Sequence, residues 1–169
     1  TDSGKFGKGF EFDGDDDYIN ISDDPSISFT GAFSVGLWMK MDSQTEMVGN
    51  AENTLISKGD RDVGWNEVAF NIRIGNSGNI VFDILDDANS ARIGAYNSTN
   101  TVSLGTWYHI VGTWNGSADA KGVKIFVDGV QWTGTLTYGT FVSLQDSNKP
   151  LQIARGSDNG AAGWFNGSI

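Results

Sequence analysis

Apolar and polar residues alternate with a period of two in several segments of this chain. Residues 33–41, 70–74, 80–84 and 123–127 each show the alternation. Successive side chains of a β-strand point to opposite faces, so each of these segments has one face to bury. No window combines a sustained 3.6-residue apolar period with helix caps. The pattern therefore predicts a chain of many strands with little or no helix.

Turn-forming residues separate the alternating segments. Glycine accounts for 23 residues, and only four of the 21 acidic residues are glutamate. Gly and Asp favour turns and are poor helix formers. Asp128-Gly129 lies between two apolar segments, which is typical of a two-residue hairpin. Residues 76–79 predict a second hairpin, between residues 68–74 and 80–85.

The spacing of segments and turns predicts an all-β fold of about 11–12 strands. Two antiparallel sheets packed face to face would bury the alternating apolar faces, so we expect an antiparallel β-sandwich. A jelly roll accommodates this number of strands better than an immunoglobulin sandwich does. The length of 169 residues suits one domain, residues 1–169.

Composition excludes several classes of site and partner. The chain has no Cys and one His, which rules out disulfides, thiolate metal sites and multi-histidine metal centres. Its net charge of −10 disfavours nucleic acid and anionic membrane surfaces, because both attract Lys and Arg. No apolar run approaches the roughly 20 residues of a membrane-spanning helix. We expect no nucleic-acid partner and no membrane insertion.

The acidic turn Asp13, Asp15, Asp16 and Asp17 is the first candidate metal site. Ca²⁺ binds six to eight oxygens from carboxylates, amides and carbonyls, and this turn offers four carboxylates within five residues. Packing four anions together is costly without a cation or full solvation. A solvated acidic turn is the alternative. Two other acidic loops, residues 60–62 and 86–89, are further candidates.

Six short segments, in order along the chain, resemble the markers of laminin-G-like domains in the concanavalin A-like lectin/glucanase superfamily. They are residues 7–19, 33–40, 55–60, 107–114, 124–129 and 163–169. The resemblance implies a concanavalin A-like jelly roll, usually extracellular and often one module of a larger protein. It also implies that such a module binds glycans or proteins, frequently with a calcium ion. Relatives usually continue beyond this ending, so we expect the last strand of the family to be missing after Ile169.

The superfamily includes glucanases, which need two carboxylates flanking the scissile bond. Glu11 and Asp13 match the first half of the acidic motif of those glucanases, but the Asp13-Gly14 turn ends the strand before a third acid. His109 lies within an apolar strand, and no serine elbow accompanies it. The sequence therefore predicts no catalytic residue.

Aromatic residues in or beside loops are the candidates for stacking on a sugar, with an asparagine beside one of them as a polar partner. The predicted ligand-binding residues are Trp65, Trp132, Trp164, Tyr96, Tyr138 and Asn66. Trp38, Trp107 and Phe165 fall at strand positions of the family and are expected to pack. The alternative is that the loop aromatics simply cover the ends of the sandwich.

Together these observations predict a non-catalytic, extracellular carbohydrate-binding module with a structural calcium ion, part of a larger secreted or surface protein. Its expected partner is a polysaccharide or glycan. One alternative is a protein–protein adhesion module, or a ligand-free spacer of a surface adhesin. The other alternative is a degenerate, glucanase-like glycoside hydrolase.

Overall fold

Fifteen short strands form the secondary structure of the described part of the chain. The computed structural model describes residues 1–43, 52–59, 67–75, 77–97, 102–158 and 161–169, without the side chains of residues 157, 158, 161 and 162. The strands are β1 (Glu11–Asp13), β2 (Ile19–Ile21), β3 (Phe33–Ser43), β4 (Asn53–Gly59), β5 (Val68–Ile74), β6 (Ile80–Asp86), β7 (Ala91–Tyr96), β8 (Trp107–Trp114), β9 (Val123–Val127), β10 (Val130–Trp132), β11 (Gly134–Tyr138), β12 (Leu151–Ile153), β13 (Arg155–Asp158), β14 (Ala161–Trp164) and β15 (Asn166–Ser168).

Two antiparallel sheets contain most of these strands. One has six strands in the order β1-β15-β3-β8-β9-β10, and the other has seven in the order β11-β7-β6-β5-β4-β12-β2. Strands β13 and β14 form a separate hairpin. Within the described residues the only helical segments are two 3₁₀ turns, Pro25–Ile27 and Ala120–Gly122. The predicted all-β antiparallel sandwich with little or no helix is confirmed.

The described residues form fifteen strands, more than the 11–12 or so that the sequence pattern predicts. Strands β1, β2, β10, β12 and β15 span three residues each, and β13 and β14 span four. Segments this short hold only one or two alternations, so periodicity does not distinguish them from loops.

The inward faces of the two sheets meet in one apolar core. The ring centroid of Phe33 in β3 lies 4.8 Å from that of Phe70 in β5 and 6.1 Å from that of Phe82 in β6. Met39 and Met41 are also buried, as the alternation of residues 33–41 predicts. Ring contacts between β3 and the opposite sheet therefore hold the two layers together.

The Asp128-Gly129 turn joins β9 to β10 as the sequence predicts. Val127 pairs with Val130 across it, and Asp128 and Gly129 have φ of 50° and 78°. Positive φ at both central residues is the signature of the type I′ turn. The predicted hairpin between β5 and β6 is also present, although Asn76 in its turn lies outside the described residues.

The outer face of the seven-stranded sheet carries polar residues in register on neighbouring strands. Asn71 of β5 pairs with Asp83 of β6, which pairs with Gly94 of β7. Arg73 lies opposite Val81, nearer the β5–β6 turn. Asn71, Arg73 and Asp83 are buried although they point away from the core. This face therefore holds charged groups shielded from bulk water, a setting often found at functional sites.

Candidate functional site

Two of the predicted ligand-binding residues, Tyr96 and Tyr138, lie on this outer face. Tyr96 ends β7 opposite Gly134, and Tyr138 ends β11 opposite Arg92. Alternate residues of a strand share a face, so Tyr96 and Arg92 point to the same side of β7. The structure thus places both tyrosines and Arg92 on one face of the β7–β11 edge, with Tyr138 beside Arg92 and Tyr96 at the opposite end of the strand pair.

A cavity of about 220 Å³ opens beside Tyr96, and its lining comes from several strands. The lining residues are Glu52, Arg73, Asn79, Val81, Arg92, Tyr96 and Leu136. Sheet register rather than one loop brings these residues together, because they belong to or adjoin β4, β5, β6, β7 and β11. The cavity is smaller than the roughly 300–1,000 Å³ pockets of drug-sized ligands, so it suits one ring of a larger ligand.

Ion pairs fix the charged side chains of the cavity. Arg73 donates from Nε and Nη2 to Asp83 Oδ2 at 2.9 and 2.8 Å, and its Nη1 contacts the Glu52 carboxylate. Arg92 Nη1 lies 3.7 Å from the same Asp83 oxygen. Charge-assisted hydrogen bonds to a carboxylate that is 1% exposed hold the Arg73 guanidinium in place. The cavity is therefore preorganised by its own side chains.

Two glycines shape the floor of the site. A Cβ at Gly94 would lie 2.5 Å from Asp83 Oδ1, so the Asp83 carboxylate occupies the space that a side chain would fill. A Cβ at Gly134 would lie 3.2 Å from the Tyr96 ring. Glycine inside a strand often marks such a close approach. These glycines let Asp83 and Tyr96 lie against the neighbouring strands.

Acceptor atoms remain spare on this face. Asp83 Oδ1 and Asn71 Oδ1 are buried and have no hydrogen-bond partner among the described residues. Leaving such an atom unpaired costs about 1–3 kcal/mol, so native proteins nearly always satisfy it. Both atoms have almost no accessible surface, so a donor as small as a buried water molecule would do so.

Tyr138, Trp132 and Trp164 are not among the residues that line this cavity. Trp132 is 8% exposed, and it lies opposite Ile125 among the core residues. The ring centroids of Trp164 and Tyr18 are 5.8 Å apart, and the guanidinium carbon of Arg155 lies 5.4 Å from the Trp164 centroid. Trp65 and Asn66 lie outside the described residues.

The predicted metal ligands form the exposed turn after β1. One carboxylate oxygen each from Asp13, Asp16 and Asp17 lies within 4.8 Å of the others, whereas the Asp15 backbone N–H donates to Asp13 Oδ1 at 2.9 Å. Oxygens on opposite sides of a Ca²⁺ ion are about 5 Å apart, given Ca–O distances of about 2.3–2.6 Å. Three carboxylates of this turn therefore fit part of a calcium coordination shell.

A second cavity, of about 190 Å³, lies beside the loop before β12. Glu67, Asp87 and residues 145–149 line it. Lys149 Nζ is 2.8 Å from Glu67 Oε2, and Ser147 Oγ donates to the Glu67 carbonyl at 2.7 Å. Burial raises the pKa of the Asp87 carboxyl, and the nearby charge of Glu67 adds to the increase. These contacts tie the loop to β5 and indicate a structural role.

Trp38 and Trp107, expected to pack, lie half-buried on the outer face of the six-stranded sheet. Trp38 stacks on His109 with ring centroids 4.9 Å apart, and the ring of Phe6 meets it edge-on at 5.4 Å. Lys5 Nζ lies 4.8 Å from the Trp38 centroid. Phe165, by contrast, is fully buried as expected. A second aromatic surface therefore exists opposite the cavity.

The three charged lining residues and the Asp83 beneath them are absent from the predicted site, although the sequence contained a signal for two of the four. Arg73 is the charged residue of the segment 70–74, and Asp83 is the charged residue of the segment 80–84, which follows the predicted hairpin turn. Pairing the hairpin from its turn outward makes them diagonal neighbours on one face. Gly94, a glycine within a strand, was a further sign of close packing.

None of the described residues forms a helix that is long and apolar enough to cross a membrane. This observation agrees with the absence of a long apolar run in the sequence.

The family model of the concanavalin A-like lectin/glucanases superfamily matches residues 13–169. No curated protein sequence matches the chain. Among solved structures, the carbohydrate-binding module CBM40 of the Ruminococcus gnavus IT-sialidase, bound to α2,3-sialyllactose, is similar with a TM-score of 0.67 and 18% identity. That match covers 96% of this chain and 85% of the module.

Two further structures share the fold. The same module bound to α2,6-sialyllactose has a TM-score of 0.63 and 18% identity, over 95% of this chain and 86% of the module. The SAP-like pentraxin of Limulus polyphemus has a TM-score of 0.56 and 15% identity, over 94% of this chain and 70% of the pentraxin. At these identities the likeness concerns the fold.

Proposed function

Because the chain belongs to the concanavalin A-like lectin/glucanase superfamily, we propose that it is a non-catalytic carbohydrate-binding module of a larger secreted or surface protein. The observation that carries this proposal is the cavity on the outer face of the seven-stranded sheet. Guanidinium and carboxylate groups lie there beside the ring of Tyr96. Hydrogen-bonding groups next to an aromatic ring are what a sugar ring requires, since it has hydroxyls at its edge and C–H groups on its faces.

The similar structures support a glycan as the ligand. The Ruminococcus gnavus modules were solved with sialyllactose bound, and they share the fold over most of this chain. The absence of catalysis is supported by β1, which ends at Asp13 and places Asp16 and Asp17 in the turn that follows. The catalytic carboxylates of a glucanase of this fold lie on one face of one strand, so β1 would have to continue beyond Asp13 to present them.

A glycan array followed by titration of the best ligand tests the proposal. Tyr96→Ala should weaken binding about tenfold, which corresponds to about 1.4 kcal/mol. Trp38→Ala is the matched control, because it removes an aromatic ring from the other sheet. Thermal unfolding of both variants checks that they fold. Absence of binding to every glycan would refute the function, and weakening only by Trp38→Ala would place the site on the six-stranded sheet.

We further propose that a calcium ion binds at the turn of Asp13, Asp16 and Asp17. The grouping of their carboxylate oxygens supports this ion, and water molecules would supply the remaining ligands. An ion that binds only the folded state raises stability by RT ln(1 + [L]/Kd). The melting temperature should therefore rise in calcium relative to chelator, and Asp16→Asn should reduce that rise. Equal melting temperatures would exclude the ion.

A protein ligand is the alternative that a specific observation favours. Phe6, whose ring meets the half-buried Trp38 edge-on, is 77% exposed, and Phe10 of the same N-terminal segment is 63% exposed. Exposed apolar surface of this kind is common at protein interfaces. If the glycan array is negative, binding of a partner protein to the intact chain, and loss of that binding in the Phe6→Ser variant, would support the adhesion role.

A further inference from the structure

The charged groups of the cavity balance one another. Among the described residues, its lining contains two arginines, Arg73 and Arg92, and one acid, Glu52. The buried Asp83 pairs with both arginines from beneath, so two positive charges meet two negative ones. The other lining residues are Asn79, Val81, Tyr96 and Leu136, none of them charged at neutral pH.

This balance disfavours an anionic ligand. Arg73 presents its guanidinium edge to Asp83 and its remaining terminal nitrogen to Glu52. A carboxylate entering the cavity would lose its hydration and would also face the negative charges of Glu52 and Asp83. The net charge of −10 on the whole chain adds a long-range repulsion.

The same groups suit uncharged hydroxyls. A sugar hydroxyl both donates and accepts hydrogen bonds, so it can bridge an arginine N–H and a carboxylate oxygen. Glu52, whose side chain is 27% exposed, lines the cavity beside Arg73 and offers such a carboxylate oxygen. Tyr96 and Leu136 supply an apolar wall for the C–H face of the ring.

From this arrangement we infer that the ligand of the cavity is an uncharged sugar residue, in contrast to the sialylated glycans bound by the structurally similar modules. The inference rests on the proposed carbohydrate-binding function and specifies its substrate class. It assigns the selection against acidic sugars to Glu52 and Asp83.

The test uses glycan pairs that differ only in charge, namely acidic glycans and their carboxyl-reduced forms, together with lactose and sialyllactose. The intact chain should bind the uncharged member of each recognised pair about tenfold more tightly or better. That binding should be nearly independent of ionic strength, because no ligand charge is screened. Equal binding, or tighter binding of the acidic member that weakens with salt, would overturn the inference.

A charge variant tests whether the cavity makes this selection. Glu52→Gln removes one negative charge while keeping the shape of the side chain, so it should shift the preference several-fold toward acidic glycans. Asp42→Asn is the control, because it changes the net charge of the chain equally but lies on the six-stranded sheet. If both variants shift the preference alike, the selection does not arise in the cavity. If no glycan of any charge binds the intact chain, the proposed function itself fails and the inference fails with it.

Discussion

Asp86, the last residue of β6, shows how one buried carboxylate organises a long loop. Its oxygens accept N–H groups from Val142 at 2.7 Å and Ser143 at 3.2 Å. Asn89 donates to both oxygens, at 3.0 and 2.9 Å. Burial acts to raise the pKa of Asp86, but these hydrogen bonds outweigh it and the pKa is lowered. The charged form of Asp86 therefore stabilises the fold. In the loop of residues 86–89, which the sequence offered as a further candidate metal site, this carboxylate already accepts hydrogen bonds from the protein.

Asp86→Asn should lower the free energy of unfolding by about 1–3 kcal/mol, because an amide cannot accept all these bonds. Because the pKa of Asp86 is lower in the folded state, the carboxylate stabilises the fold at pH above its pKa in the unfolded chain, about 3.9. This stabilisation is lost as the pH falls through the pKa of the folded state. Urea unfolding between neutral and acidic pH would measure it. The difference between wild type and variant should shrink in acid, and a constant difference would contradict the assignment.

Strand β4 depends on a buried lysine that no apolar pattern explains. Lys58 is 1% exposed, and its ammonium donates to Asp23 and to the carbonyls of Ser147 and Lys149. These acceptors come from the segments that precede the first 3₁₀ turn and β12. One side chain thus links three parts of the chain at one end of the seven-stranded sheet.

Lys58→Met should cost about 2–4 kcal/mol of unfolding free energy. The variant keeps most of the volume but leaves two carbonyls and a partly buried carboxylate without their donor. Lys124→Met is the control, since Lys124 is exposed on β9. Chemical denaturation of the three proteins measures the difference. A Lys58 variant as stable as the Lys124 variant would show that the buried ammonium contributes nothing net.

At the scale of the whole molecule, a glycine of one sheet faces an aromatic ring of the other. Gly112 of β8 lies against Phe82 of β6, and a Cβ there would come within 2.7 Å of the ring. Packed cores tolerate extra volume poorly, because interiors have the density of organic crystals. The separation of the layers is therefore set in part by this glycine.

Gly112→Ala should lower stability by about 1–3 kcal/mol through overpacking between the sheets. Gly36→Ala on the outer face of β3 is the control, because its Cβ would meet only the Val111 side chain and the Ile110 carbonyl oxygen, at 3.3 and 3.5 Å. Thermal unfolding of both variants measures the effect. Equal melting temperatures for the two variants would contradict the close approach of the sheets.

Sequence patterns alone were sufficient to predict the fold class, the Asp128-Gly129 hairpin and the buried face of residues 33–41. These features are local, because a period of two and a turn dipeptide depend on residues within a few positions of one another. Family markers such as residues 107–114 extended that local information to a superfamily. The same reasoning placed Trp132 at the surface, whereas its pairing with Ile125 directs it into the core.

The candidate cavity, by contrast, is visible only in the three-dimensional arrangement of the strands. Arg73 and Asp83 are ten residues apart, and Glu52 and Leu136 join them from strands far away in sequence. Their meeting depends on strand order across the seven-stranded sheet and on the room that Gly94 and Gly134 leave. The charge balance of the cavity likewise follows from which side chains touch, and the composition of an acidic chain does not encode it.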